Sequence, residues 1–150
     1  MPKPLKELLN FLKPFPKDVQ DNALWLREFV WKQFPKCNEL IYDNYNALAI
    51  GFGPTDRASD AFCSIAIYSK YINFGLLRGS EIDDPKKMLA GKGSLYRSIK
   101  ITDIENFPSA YIKKLLKAAY INSISRLKNK SSINGQMIVK SVSGKKRRPS

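Results

Sequence analysis

Three stretches of the chain place apolar residues three and four positions apart, which is the spacing of one face of a helix. The first lies within residues 1–15 and is followed closely by two prolines. Because so short a helix is marginal by itself, we expect this N-terminal extension to dock on the rest of the chain. The second stretch, over residues 17–34, and the third, from Pro108 to about residue 127, predict two long amphipathic helices.

Between the two long helices the pattern changes to short apolar runs separated by polar residues, which is typical of strands. The predicted strands cover residues 40–42, 47–50, 61–68, 71–77 and 97–101. Ser69 and Lys70 separate the third strand from the fourth and predict a hairpin. Because the strands follow one another along the chain, we expect an α+β fold, with an antiparallel sheet of about five strands and helices packed on one face.

Charge is distributed unevenly along the chain, whose net charge is +13. Residues 1–105 carry 15 Lys and Arg against 13 Asp and Glu, whereas residues 106–150 carry 11 basic residues and no acid. From residue 129 onward the chain is rich in Ser, Asn, Gly and Lys, so we expect a disordered basic tail over 129–150 after an α+β domain over 16–128. The asymmetry favours contact with an anionic partner.

The absence of histidine limits the chemistry of the chain. It excludes Ser-His-Asp and Cys-His mechanisms and makes a zinc site improbable. Cys37 and Cys63 are too few for a disulfide framework, so we expect reduced thiols in the cytoplasm. We expect no cofactor, no metal site and no membrane span, and a non-enzymatic function. A weaker alternative is an enzyme that uses Asp43 as the base and Tyr42 or Tyr45 as the acid.

The stretch Tyr42–Asn46 between the first two predicted strands is unusually polar. One interpretation is a hairpin turn closed by Asn and Asp side chains. The other is a binding site for a small molecule or a partner protein at a strand end, where Gly53 lets a ligand approach the backbone. Lys92 and Arg97 flank a glycine-rich turn that is either structural or an anion-binding nest. The predicted ligand-binding residues are Tyr42, Asp43, Asn44, Tyr45, Asn46, Gly53, Lys92 and Arg97.

The basic residues of the last helix and the tail suggest an alternative function. They either solubilise the chain or bind a polyanion such as nucleic acid, through phosphate contacts that read no sequence and weaken with salt. The predicted polyanion-binding residues are Lys113, Lys114, Lys117, Arg126, Lys128, Lys145, Lys146, Arg147 and Arg148.

Five short segments, spread over about residues 18–120, together resemble the YdhG-like family, a domain of unknown function. They are residues 41–48, 51–55, 82–85, 89–93 and 97–99. The resemblance implies a compact α+β domain similar to frataxin in shape, in a family mostly without an assigned activity. Some members are described as frataxin-like iron chaperones, so iron binding is a minor alternative. The carboxylates that would serve it are Asp18, Asp21, Glu28, Glu39 and Asp43.

Overall fold

The computed structural model of the protein describes residues 2–128 and 135–150. These contain the three helices that the apolar spacing predicts: α1 (Lys6–Leu12), α2 (Lys17–Gln33) and α3 (Ser109–Ser125). Pro16 and Pro108 immediately precede α2 and α3, where a missing amide hydrogen costs no helical hydrogen bond. No helix in the described part of the chain is long and apolar enough to cross a membrane.

The strands form one sheet of six, in the order β5-β4-β3-β2-β1-β6. They are β1 (Asn38–Asp43), β2 (Leu48–Gly53), β3 (Cys63–Ile67), β4 (Ile72–Leu76), β5 (Arg97–Ile101) and β6 (Met137–Val142). Strands β1 to β5 pair antiparallel, and a bond from the amide of Tyr68 to the carbonyl of Tyr71 (2.9 Å) closes the predicted β3–β4 hairpin. The α+β class is confirmed, but the sheet is mixed, because β6 runs parallel to β1.

Strand β6 lies within the predicted disordered tail, so that prediction is wrong for this segment. The amide of Glu39 donates to the carbonyl of Gln136 at 2.7 Å, and the two strands then pair in parallel. Met137 and Val139 pack against the hydrophobic core. The apolar run is short and stands in a polar region, and only the free edge of β1 gives it backbone partners. Residues 129–134 of the predicted tail lie outside the described residues.

All three helices cover the same face of the sheet. Alternate strand residues, among them Ile41, Ile65 and Phe74, belong to one hydrophobic cluster with side chains from α1, α2 and α3. The predicted docking of the N-terminal helix is confirmed, because Leu8 and Leu12 are buried in that cluster. The core therefore includes the N-terminal extension.

The connection between β4 and β5 contains a turn that begins directly after Asp84. The carboxylate of Asp84 accepts hydrogen bonds from the amides of Met88 (3.2 Å) and Leu89 (2.9 Å). Asp84 thus closes this turn with its side chain.

Candidate functional site

The strand registers bring four distant segments to one end of the sheet, here called the turn end. Asp43 pairs with Leu48, so the turn between them lies there, and Ile72 pairs with both Ile67 and Ile101. The β3–β4 turn and the residues after β5 therefore lie at the same end. Because β6 runs parallel to β1, the chain also leaves β6 at this end.

A cleft of about 500 Å³ opens at the turn end. Its lining comes from the β1–β2 turn, the β3–β4 turn, the end of β5 and the C-terminal segment. The lining residues are Asn46, Tyr68, Ser69, Lys70, Tyr71, Lys100, Thr102, Arg147 and Arg148. This volume lies within the range of about 300–1,000 Å³ that is usual for small-molecule sites.

Basic residues give the cleft its charge. Lys70, Lys100 and Arg147 are exposed, and Arg148 lies beside them with little exposure. Among the residues that the structure describes, no carboxylate lines the cleft. The amide of Arg147 donates to the carbonyl of Tyr45 at 2.9 Å, which fixes the C-terminal backbone at the rim. The cleft is therefore a positively charged concavity on an ordered backbone.

Two tyrosines form one wall of the cleft. The rings of Tyr68 and Tyr71 stack with their centroids 4.9 Å apart and their planes at 19°. The ammonium of Lys100 lies 4.4 Å from the centroid of the Tyr71 ring. Stacked rings next to cations suit a ligand that combines a planar group with negative charge.

Beneath the cleft, the C-terminal segment is attached through Asp43, whose side chain is fully buried. The ammonium of Lys146 lies 2.5 Å from one carboxylate oxygen, and the guanidinium of Arg148 pairs with the other. Arg148 also donates to the carbonyl of Asn44 at 3.1 Å and lies 5.4 Å from the ring centroid of Phe15. This pairing holds the last residues against the sheet and is the second reason why a disordered tail is the wrong description.

The predicted site around Tyr42–Asn46 is partly assembled. The stretch is a hairpin turn, closed by a bond from the amide of Asn44 to the carbonyl of Ala47 at 3.1 Å. Asn46 lines the cleft, whereas the carboxylate of Asp43 is occupied by its two cations. Tyr42 points to the opposite face of the sheet from Asp43, and burial raises the pKa of its phenol. The pair Asp43 and Tyr42 is therefore not arranged as a base and an acid.

The other predicted ligand residues lie elsewhere. Arg97 is the first residue of β5, and Lys92 lies in the loop before it. Four strand-to-strand spacings of about 4.8 Å separate β5 from β1, so the two strands lie about 19 Å apart. The guanidinium of Arg97 donates to the carbonyls of Gly93 (2.6 Å) and Tyr96 (2.7 Å), so it braces its own loop. Arg97 and the turn end lie at opposite ends of β5.

Gly53 is closed to ligands by packing. A Cβ at this position would lie 2.9 Å from Cα of Ala61, so its lack of a side chain admits the neighbouring loop. The predicted single pocket around Tyr42–Asn46, Gly53, Lys92 and Arg97 is therefore not formed.

The predicted polyanion-binding residues are also divided. Arg147 and Arg148 line the cleft at the turn end, and Lys146 is paired with Asp43. Lys113 and Lys117 lie on α3 and line a depression between α2 and α3. Arg126 lies beside Arg78 in a separate small pocket. Lys114, Lys128 and Lys145 are exposed. The sequence reasoning missed Lys70 and Lys100, which meet the C-terminal arginines only through the sheet register.

No group of three or more metal-ligating side chains occurs within residues 2–128 and 135–150. The carboxylates proposed for iron are mostly engaged in ion pairs: Asp21 with Lys17, Glu28 with Lys32, Glu39 with Arg27, and Asp43 with the C-terminal segment. This arrangement offers no shared oxygen cluster for a metal.

Both cysteines are free and buried. Burial raises the pKa of the Cys37 thiol to about 12, and the nearby charge of Glu39 acts in the same direction. Burial also raises the pKa of Cys63. These thiols are inert in the folded protein and take no part in the cleft.

Comparison with known proteins yields no match to a family model, to a curated protein or to a solved structure. The geometry of the turn end is therefore the ground for inferring a function.

Proposed function

We propose that the protein is a non-enzymatic binding module for a small anionic ligand, and that the cleft at the turn end holds it. The ligand would combine phosphate or carboxylate groups with a planar ring. One observation carries this proposal: Lys70, Lys100 and Arg147 meet a stacked tyrosine pair in a concavity that no described carboxylate lines.

The chemistry of these groups divides the ligand into two parts. Arginine and lysine donate charge-assisted hydrogen bonds to anionic oxygens, which are about twice as strong as neutral ones. The exposed amide of Asn46 adds neutral donors and an acceptor at the rim. A planar ring would lie against the outer face of Tyr68, because Tyr68 and the ammonium of Lys100 already flank the Tyr71 ring. Loss of such stacking costs about 0.5–1.5 kcal/mol.

The test uses AMP, ATP and inorganic pyrophosphate as probes, with isothermal titration calorimetry and thermal unfolding at low salt. We expect ATP to bind and to raise the melting temperature, because a ligand of the native state stabilises it by mass action. Lys100→Gln and Arg147→Gln should each weaken binding about tenfold, which is about 1.4 kcal/mol. Tyr68→Leu should weaken the binding of ATP more than that of pyrophosphate.

Lys92→Gln is the matched control, since Lys92 is exposed and lies in the loop before β5, away from the turn end. It should leave ATP binding within twofold of the unaltered protein. If no probe binds, or if Lys92→Gln weakens binding as much as Lys100→Gln does, the proposal is wrong.

Nucleic-acid binding is the second candidate, favoured by the absence of any acid from residues 106–150. In that case affinity for single-stranded oligonucleotides should grow with length well beyond what the cleft can hold, and should fall steeply with salt. Lys113→Gln should then weaken binding as much as Lys100→Gln. Affinity that reaches a plateau at one or two nucleotides would favour the small ligand.

Membership of the YdhG-like family is likewise a proposal, supported by the five sequence segments that resemble it. It predicts the same α+β class and makes no claim about the cleft.

A further inference from the structure

A second surface lies on the helical side of the molecule, away from the turn end. Two adjoining cavities of about 400 and 560 Å³ follow the line between α2 and α3. Gln33 and Lys113 line both cavities, so the two form one continuous depression, here called the helix groove.

The floor of the helix groove is aromatic and apolar. Trp25 stacks on Phe29 with centroids 5.4 Å apart, and Phe34 stacks on Tyr120 at 4.9 Å. Trp25 is 40% exposed and Ile121 is 58% exposed, one at each end of the groove. Together with the aromatic floor between them, these two side chains make a continuous apolar surface with a polar rim, which is the kind of surface that marks an interaction site.

The rim of the groove is cationic. Lys113 and Lys117 lie one turn apart on α3, and Lys36 lies just after the C-terminal end of α2. In the described parts of the chain no carboxylate forms an ion pair with any of these three lysines. Lys32 pairs with Glu28 at 3.2 Å, so its charge is already balanced. The uncompensated charge of the rim is positive.

The groove has the length of a short helix. On α3 it runs from Ser109 to Ile121, and the twelve steps between these residues, at 1.5 Å each, span about 18 Å. We propose that the helix groove docks an acidic amphipathic helix of about three turns from a partner protein. Its apolar face would cover Trp25, Phe29 and Ile121, and its carboxylates would meet Lys36, Lys113 and Lys117.

The charge pattern argues against a second copy of this chain as the occupant. Helix α3 contains no acidic residue, and the three acids of α2 are matched by three basic residues. Neither long helix offers an acidic face that complements the lysines. Single-stranded nucleic acid would meet the cations and stack a base on Trp25, but it offers no aliphatic surface to cover the exposed Ile121.

The direct test is a fluorescence anisotropy titration with a synthetic 14-residue peptide in which leucines follow helical spacing and glutamates fill the outer positions. A peptide of the same composition in scrambled order and one with glutamine in place of glutamate serve as controls. We expect the designed peptide to bind at least tenfold more tightly than either control. It should also shift the emission of Trp25 to shorter wavelength, whereas Trp31 is already buried.

Variants locate the contact. Lys117→Glu should weaken peptide binding at least tenfold, and Ile121→Ser should weaken it about fivefold without destabilising an exposed position. The matched control is Lys114→Glu, because Lys114 is an exposed lysine of the same helix that does not line the groove. It should change binding less than twofold.

Several results would overturn the inference. Equal affinity of the scrambled peptide, or no binding of the designed peptide at low salt, would show that no helix-specific site exists. Equal effects of Lys114→Glu and Lys117→Glu would place the contact outside the groove. Displacement of the peptide by a 14-nucleotide single strand at comparable concentration would show that the lysines select charge alone. Sedimentation that shows a dimer broken by Ile121→Ser would assign the groove to a second copy and would also overturn it. Because the cleft residues are untouched in these variants, ATP binding should be unchanged, which separates this test from that of the proposed function.

Discussion

Strand β1 buries a carboxylate near each of its ends, and the two are neutralised by different parts of the chain. Glu39 accepts hydrogen bonds from Nε of Arg27 and Nε1 of Trp31, both at 2.9 Å, and both partners lie on the preceding helix. Asp43 is paired with Lys146 and Arg148, which follow it by more than a hundred residues. The side chains of both carboxylates are fully buried.

The Glu39 pair lies within the core, whereas the Asp43 pair attaches the C-terminal segment to the rest of the protein. The Glu39 network belongs to the unit of α2 and β1, although Arg27 also donates to the carbonyl of Pro2 (3.1 Å) and to Sδ of Met137 (3.3 Å). The Asp43 network has no basic partner in the body of the protein and receives its cations from the C-terminal segment. The same segment supplies Arg147 to the cleft, so pairing with Asp43 keeps the cleft assembled.

The largest effect is expected at the Glu39 end. Among the described residues, Arg27→Met leaves the fully buried carboxylate of Glu39 with one side-chain donor, Trp31. Losing one partner of a buried ion pair costs about 3–5 kcal/mol. We expect the free energy of unfolding to fall by that amount in urea denaturation. The double variant Arg27→Met, Glu39→Met should be more stable than Arg27→Met alone. A fall of less than about 1 kcal/mol would show that the pair is not the core element we describe.

A smaller loss is expected from Arg148→Met, because Lys146 still faces Asp43. We expect about 1–3 kcal/mol, the cost of a buried group left partly unsatisfied. A double-mutant cycle with Asp43→Asn measures the coupling between the two residues. Arg147→Met is the control and should cost less than about 0.5 kcal/mol, since Arg147 is exposed. Equal losses for the two arginines would contradict the attachment.

Lys146→Met should have a weaker effect again. Its side chain is 17% exposed, so water screens it more than Arg148, and we expect a loss of about 0.5–1 kcal/mol. The loss should shrink in 1 M salt, where the screening length is about 3 Å. Urea denaturation at both ionic strengths measures it, and an effect larger than that of Arg148→Met would reverse the order of the two cations.

The smallest effect is expected from Arg148→Met on the rate at which a thiol reagent labels Cys37, which lies two residues before Glu39 in the chain. With a pKa of about 12, only about one thiol in 10⁴ is ionised at pH 8, so labelling by a thiol reagent requires opening of the fold. In a Cys63→Ala background, Arg148→Met should change the labelling rate less than about twofold, provided that the opening which exposes Cys37 is local to the Glu39 end and leaves the Asp43 pairing intact. Arg27→Met should accelerate labelling, and equal acceleration by both would show that the two ends open together.

Much of the fold was predictable because its signals are local. The spacing of apolar residues places α2 and α3, and Leu8 and Leu12 predict a docked α1. The strands of the β3–β4 hairpin follow from two apolar runs around Ser69 and Lys70. Each of these patterns depends on residues within one element or its neighbour.

The cleft was not predictable in the same way. Asn46 was expected in a site, but its partners at residues 68–71, 100 and 147 lie far apart in the sequence, and only strand register brings them together. The sequence signal for β6 was the run Met137–Val142, whose residues favour strands. It was missed because the surrounding residues are rich in Ser, Asn, Gly and Lys, which indicate disorder.

By itself the sequence determined the class of the fold, the amphipathic helices and the excess of positive charge in residues 106–150. The tertiary structure alone decided that β6 completes the sheet beside β1, that Asp43 binds the C-terminal cations and that Lys70, Lys100 and Arg147 share one cleft. The reason is physical. Periodicity and propensity act between neighbours in the chain, whereas strand pairing and buried ion pairs depend on which distant groups the packed core leaves without partners.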